Sequence, residues 1–252
     1  MANIAKRRNF LCLAATVGAG AILSGCGSHG KERSGQASQT KESRNPASGN
    51  AKGDEVTAVE DLMREHGVLR RALLVYGAVA VKLRSNPSSV PPNALQKTAK
   101  LFRAFGEDYH EKKLEETYIF PAVTKAGGQA GSYPDILVVQ HTRGREITEY
   151  ILAVTQGAKL GASAEALAKA LESFALMYQH HAAREDTIVF PAWKHTLSEE
   201  QLDEMGEKFE EIEKQQFGSD GYEDAVKQIG DIEGDLGLAE IAQFTAPPPP
   251  RG

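Results

Sequence analysis

Tyr109-His110-Glu111-Lys112-Lys113-Leu114-Glu115-Glu116-Thr117-Tyr118-Ile119-Phe120-Pro121-Ala122 returns in altered form about seventy residues later, as Gln179-His180-His181-Ala182-Ala183-Arg184-Glu185-Asp186-Thr187-Ile188-Val189-Phe190-Pro191-Ala192. Each copy places histidine a turn or so before a glutamate, then runs through an apolar stretch into Phe-Pro-Ala. A histidine and a carboxylate four apart on a helix project from the same face. Two such helices facing one another would aim imidazoles and carboxylates into one core. A buried cluster of this kind is too costly to leave without a cation.

Working outward, the spacing predicts more helices of the same kind. Val59, Leu62, Met63, Leu69, Leu73, Leu74, Ala80 and Leu83 repeat at helical period from about Val56 to Arg84. Asn86-Pro87 through Pro91-Pro92 breaks the chain. A second helix is expected from about Asn93 to Lys125, with Leu95, Leu101, Phe102 and Phe105 inward. The third, from about Pro134 to Thr155, carries Ile136, Leu137, Ile147, Ile151 and Leu152. The fourth follows Ser163, a candidate N-cap, and reaches about His195 through Leu167, Leu171, Phe174, Leu176 and Met177. Pro121 and Pro191 should each kink their helix or end its regular part. Leu202, Met205, Phe209 and Ile212 indicate a fifth helix, and a shorter segment around Tyr222 to Phe244 should pack outside. No strand alternation is visible. The fold class is therefore all-α, an up-down-up-down four-helix bundle with extra C-terminal helices.

Seven histidines occur, and any one alone is more readily a packing or surface residue than a ligand. Their distribution changes that reading. His66, His110, His141 and His181 fall one per bundle helix, at comparable depth in alternating directions, while Glu115 and Glu185 supply negative charge. His29 and His195 lie outside this pattern.

The blocks Arg64-Glu65-His66-Gly67-Val68-Leu69-Arg70-Arg71, Tyr109-His110-Glu111, Glu115-Glu116 with Phe120-Pro121, Gln140-His141, and His181-Ala182-Ala183-Arg184-Glu185 with Phe190-Pro191 resemble the hemerythrin-like, or HHE cation-binding, domains. The resemblance covers roughly residues 57–195. It implies a bundle holding non-haem iron, as a di-iron centre, through histidines and bridging carboxylates, with an open position for dioxygen or a related small ligand. The metal ligands it implies are His66, His110, Glu115, His141, His181 and Glu185.

One spacing departs from the pattern. His181 and Glu185 are four apart and share a face, but His110 and Glu115 are five apart and diverge on a regular α-helix. A π-bulge would absorb the extra residue, and this is the preferred reading. Alternatively Glu111 and Glu115, which do share a face, both serve as ligands with His110 displaced, or the second-helix half of the site is weakened and the centre is mononuclear. Alignment on Phe-Pro matches His110 with His180, which makes His180, like Glu111, a reserve ligand. Tyr76, Tyr109, Tyr118 and Tyr178 are candidates for hydrogen bonds around the metal, although packing explains each of them as well.

The ends of the chain read differently. Lys6-Arg7-Arg8 precedes an apolar run to Leu23 that is too short for a comfortable membrane span. Arg7-Arg8-Asn9-Phe10-Leu11 resembles a twin-arginine export signal, and Leu23-Ser24-Gly25-Cys26 resembles a lipobox in which Cys26 becomes the lipid-bearing N-terminus. The expected division is an export signal over 1–26, a flexible linker over 27–55, the bundle over 56–196, a helical extension over 197–244 and a disordered tail over 245–252. The linker would hold the bundle about 30 Å from its anchor. Cys12 and Cys26 are the only cysteines, so a mature chain has no internal disulfide and no thiolate site. Nitrogen and oxygen ligands suit iron or manganese better than structural zinc.

The formal charge of −5 and the lack of a basic stripe argue against nucleic acid as a partner. No His-Glu-x-x-His pair, phosphate loop or nucleophile elbow is present. The expectation is an exported, envelope-tethered protein whose iron binds or senses dioxygen, nitric oxide or peroxide, with an unknown redox partner. The competing readings are a di-iron oxidase or peroxidase acting on peroxide or ferrous iron, and a metal-free helical interaction module.

Overall fold

The computed structural model describes residues 56–157 and 160–250. The expected export signal, the lipidation site Cys26 and the linker lie outside these residues. Among the described residues there are six main helices and no strand. Helix α1 spans Ala58–Ser85. Helix α2 runs as α-helix over Pro92–Leu101, as π-helix over Phe102–Ile119 and again as α-helix over Phe120–Ala126. Helix α3 is Pro134–Val154. Helix α4 runs over Ala164–Arg184, passes through a π-turn at Glu185–Val189 and ends with Phe190–Lys194. Helices α5 and α6 are Glu199–Phe217 and Gly221–Leu236.

Local chemistry sets these boundaries. The Thr57 hydroxyl accepts from the Glu60 amide at the start of α1, and Lys82 and Arg84 face the negative end of its dipole. Ser198 and Gln201 form a reciprocal capping box on α5, and Gly218 at φ 73° closes that helix in the left-handed conformation. Ser163, expected to cap α4, makes no side-chain cap bond; a single 3₁₀ turn over Gly161–Ser163 leads into the helix instead.

Long-range pairs give the topology. Arg84, near the end of α1, pairs with Glu165 and Glu172 near the start of α4, while His66 meets Asp186 near its other end. Arg103 of α2 reaches Glu149 of α3, and His141 reaches back to Glu116. Adjacent bundle helices therefore run antiparallel. Leu62, Leu73, Phe102, Leu137, Leu171 and Phe174 are all buried between them. Below the polar layer, Tyr76, Phe102, Phe174 and Tyr178 pack edge-on or tilted, with centroids 4.7–6.5 Å apart. Phe209 of α5 stacks on Trp193. Helix α6 is fastened to α1 by Arg71–Glu233 and by Lys82 on the Leu236 carbonyl. The helical period overstates the core, because Leu74, Ile136 and Leu176 face outward and are exposed.

The prolines stand where regular α-helix resumes rather than where it ends, because the π-register already begins upstream of them, at Phe102 and at Glu185. The Phe120 amide donates to the Glu115 carbonyl and the Phe190 amide to the Glu185 carbonyl, five residues back rather than four. Pro121 and Pro191 then occupy the first turn of a renewed α-helix, where a missing N–H costs nothing. The π-register in α2 is longer than a single bulge, covering 18 residues.

Candidate metal centre

Five-residue hydrogen bonding brings His110 and Glu115 onto one face of α2 and so resolves their odd spacing. Across from them, His181 and Glu185 remain four apart at the end of the α-helical part of α4. With His66 of α1 and His141 of α3, these side chains meet in the bundle interior, each at most 3% exposed.

Their atoms are ordered in a specific way. His66 Nε2 lies 3.0 Å from His110 Nε2, and His141 Nε2 lies 3.1 Å from His181 Nε2. Glu115 spans the two pairs, with Oε1 3.3 Å from His110 Nε2 and Oε2 3.4 Å from His141 Nε2. Glu185 spans them from the other side, with Oε1 3.0 Å from His181 Nε2 and Oε2 3.5 Å from His66 Nε2. Each carboxylate thus offers one oxygen to each histidine pair.

The outward nitrogens are all engaged. His66 Nδ1 faces Asp186 at 2.6 Å, His110 Nδ1 faces Glu65 at 2.6 Å, and His141 Nδ1 faces Glu116 at 2.9 Å. His181 Nδ1 faces the Gln140 carbonyl oxygen at 2.9 Å. Ionised carboxylates and amide oxygens only accept, so each imidazole donates from Nδ1 and turns an Nε2 lone pair inward. Facing lone pairs at such separations repel unless a proton or a cation lies between them. Two ligands at right angles on an ion about 2.1 Å away would stand about 3.0 Å apart, which is the separation found within each pair.

All four carboxylate oxygens of Glu115 and Glu185 are buried without a hydrogen-bond partner. Buried polar atoms are normally satisfied, and an unsatisfied carboxylate is among the costliest groups to bury. Burial raises the pKa of Glu115, but the charges of His110 and His141 overcome this and hold it well below the usual range. Burial lowers His141, and the carboxylates of Glu111, Glu115 and Glu116 override it, lifting the pKa to about 10. Burial also lowers His110, which the charge of Glu115 and the Glu65 contact reverse, leaving it well above its ordinary value. The cluster therefore demands positive charge, which protons supply when no metal does.

The six ligands implied by the sequence are brought together. The two reserve residues are not part of the inner ring. His180 is exposed and turned to Arg184. Glu111 is buried but accepts from the Tyr178 hydroxyl at 2.6 Å and pairs with Arg145 at 3.2 Å. Glu111, Glu116 and His141 Nδ1 lie close enough to form a further potential cation group, but Arg145 already supplies its positive charge. Gly144 makes room for the Tyr178 hydroxyl, since a Cβ there would overlap it.

The Nδ1 partners Glu65, Glu116, Gln140 and Asp186 were not singled out by sequence reasoning, although a signal existed. Each immediately precedes or follows a ring residue, in Glu65-His66, Glu115-Glu116, Gln140-His141 and Glu185-Asp186. Neighbours on a helix are about 100° apart. One side chain therefore points inward while the next supports a histidine of an adjacent helix.

A family model described as the hemerythrin HHE cation binding domain matches residues 57–193. The chain belongs to this family. Proteins described as uncharacterized in Mycobacterium bovis and Mycobacterium tuberculosis are each similar to it, 38% identical over 242 residues, which covers 95% of this chain and 90% of theirs. That likeness extends well beyond the hemerythrin domain itself. No solved structure matches the chain. It is a helical protein with a cation-binding domain and a buried histidine–carboxylate cluster.

Proposed function

We propose that this hemerythrin-domain protein holds a non-haem di-iron centre and binds or senses dioxygen, nitric oxide or peroxide through it. The supporting observation is the two-sided donor set. His66 and His110, with one oxygen each from Glu115 and Glu185, form one position. His141 and His181, with the other two oxygens, form the second. Four protein donors per ion would leave coordination positions open to a small ligand. Two irons would supply reversible one-electron changes and Lewis acidity beside those positions. The chain's own residues fix the imidazoles through their Nδ1 bonds, cap the layer with Phe120 stacked on His141 and Phe190 stacked on His66, and exclude water. Export and attachment through a lipid at Cys26 belong to the same proposal and rest on the sequence of the first 26 residues.

The test is metal content with an optical spectrum, on protein produced with and without iron. Two irons per chain, with near-ultraviolet absorption that shifts on adding azide or peroxide, are expected. No iron with a flat spectrum would remove the proposal and favour an interaction module.

A second reading, an oxidase or peroxidase acting on peroxide or ferrous iron, is favoured by two buried tyrosines. Tyr109 donates to Glu65 at 3.2 Å and Tyr178 to Glu111 at 2.6 Å, so each phenol has a carboxylate able to take its proton beside the cluster. Sustained peroxide consumption with an added electron donor would decide for this reading; stoichiometric binding without turnover would decide against it.

A further inference from the structure

The centre repeats itself across an exchange of α1–α2 with α3–α4. His66 corresponds to His141 and His110 to His181, while Glu115 corresponds to Glu185. Phe190 on His66 matches Phe120 on His141. Asp186, which accepts from His66, is paired with Arg70; Glu116, which accepts from His141, is paired with Arg145. Both arginines lie four residues after the histidine of their own helix. These parts agree in position and in charge.

One Nδ1 contact does not agree. His110 leans on Glu65, a carboxylate 1% exposed whose other oxygen takes the Tyr109 hydroxyl. His181 leans on Gln140, a neutral amide. Glu111 is an additional charge on the second side, without a counterpart because Ala182 takes its place in α4. Its close contacts are with Tyr178 and Arg145, and His141 Nδ1 is 3.9 Å away.

A carboxylate accepting the N–H of a ligand imidazole makes the opposite nitrogen a stronger donor than a neutral acceptor does. We propose that Gln140 makes the two cation positions unequal, so that the one at His66 and His110 fills first and the one at His141 and His181 fills second and more weakly. This inference rests on the reading of the cluster as a two-cation centre. Partners of this kind shift metal affinity by roughly 10–100-fold, so the separation between the two steps is expected on that order.

The experiment is a calorimetric titration of the full-length, metal-free chain with cobalt(II), followed in parallel by visible absorption. Wild type should show two steps about 10–100-fold apart, with a different spectral change in each. Gln140→Glu, which keeps the side-chain size and supplies a carboxylate, should draw the steps together. Gln140→Leu, which removes the acceptor, should weaken only the second step by about 10-fold, and Glu65→Gln should weaken only the first by a similar factor. His66→Ala should delete the tight step and His141→Ala the weak one. Equal steps in wild type, or an unchanged separation in a folded Gln140→Glu protein, would overturn the inference while leaving the two-cation reading intact. Uptake of no cobalt by wild type would overturn both.

Discussion

The α1–α2 half of the centre and the α3–α4 half carry the same parts in the same order, and differ at Glu65 against Gln140. Neither half is self-contained. Glu65 of α1 supports a histidine of α2, Glu116 of α2 one of α3, Gln140 of α3 one of α4, and Asp186 of α4 one of α1. The supports run once around the bundle, so every helix fixes its neighbour's ligand. Because Glu115 and Glu185 each span both halves, damage to a glutamate should be shared, whereas damage to a histidine should stay local.

The largest effect expected on this comparison comes from the bridging carboxylates. Glu115→Ala or Glu185→Ala should weaken both cation positions by more than the roughly 10–100-fold typical of an outer partner. Metal content per chain, measured after desalting, should fall towards none. In His66→Ala or His141→Ala it should fall by one ion. Loss confined to one position in Glu115→Ala would show that the carboxylate does not bridge.

Cation binding should also stabilise the fold. At a free metal concentration 100 times the dissociation constant, a site selective for the native state adds about 2.7 kcal/mol, which for a domain of this size raises Tm by about 5–10 °C. Calorimetric scans with and without iron(II) measure this directly, and an unchanged Tm would argue for a metal-free bundle.

Next in size is a packing contrast between the halves. Three residues after its histidine, α3 carries Gly144, whereas α1 carries Leu69. Gly144→Ala would drive a methyl into the Tyr178 hydroxyl and should cost about 1–3 kcal/mol, the usual penalty for overfilling a packed interior. Chemical denaturation measures it, and a neutral result would mean that Tyr178 can leave its seat.

The most graded effect is that of pH. The His141 pKa is raised from 6.5 to about 10, so its proton stabilises the metal-free fold fully below pH 6.5. That contribution is lost as pH rises towards 10. Metal-free protein should therefore lose stability between pH 7 and pH 10, while metal-loaded protein, having given up the proton, should not. Apparent metal affinity should rise with pH over the same window, with proton release visible as a buffer-dependent binding enthalpy. Parallel pH profiles for the two forms would contradict the proton-for-cation exchange.

Much of this architecture is legible in the sequence because helix breaks are written in local chemistry. Asn86-Pro87 and Gly127-Gly128 place the ends of α1 and α2 to within a residue or two. The inner ring is legible because a histidine on each of four helices leaves few arrangements. The five-residue step from His110 to Glu115 signals a π-turn, but nothing in it fixes the length of π-hydrogen bonding. In the structure the α-register returns at Phe120, next to Pro121, which has no N–H to continue the ladder. Leu74 and Leu176 mislead because an apolar residue adds to a helical period whether or not its face meets another helix. The Nδ1 partners are least legible, since they depend on how each helix is rotated against the next, a property of packing rather than of spacing.

Anomalous diffraction at the iron edge, on crystals of iron-loaded protein, addresses the paired centre most directly. Two peaks are expected, one beside His66 and His110 and one beside His141 and His181, with Glu115 and Glu185 reaching both. A single peak on one side, or none within reach of the six residues, would contradict a two-cation centre.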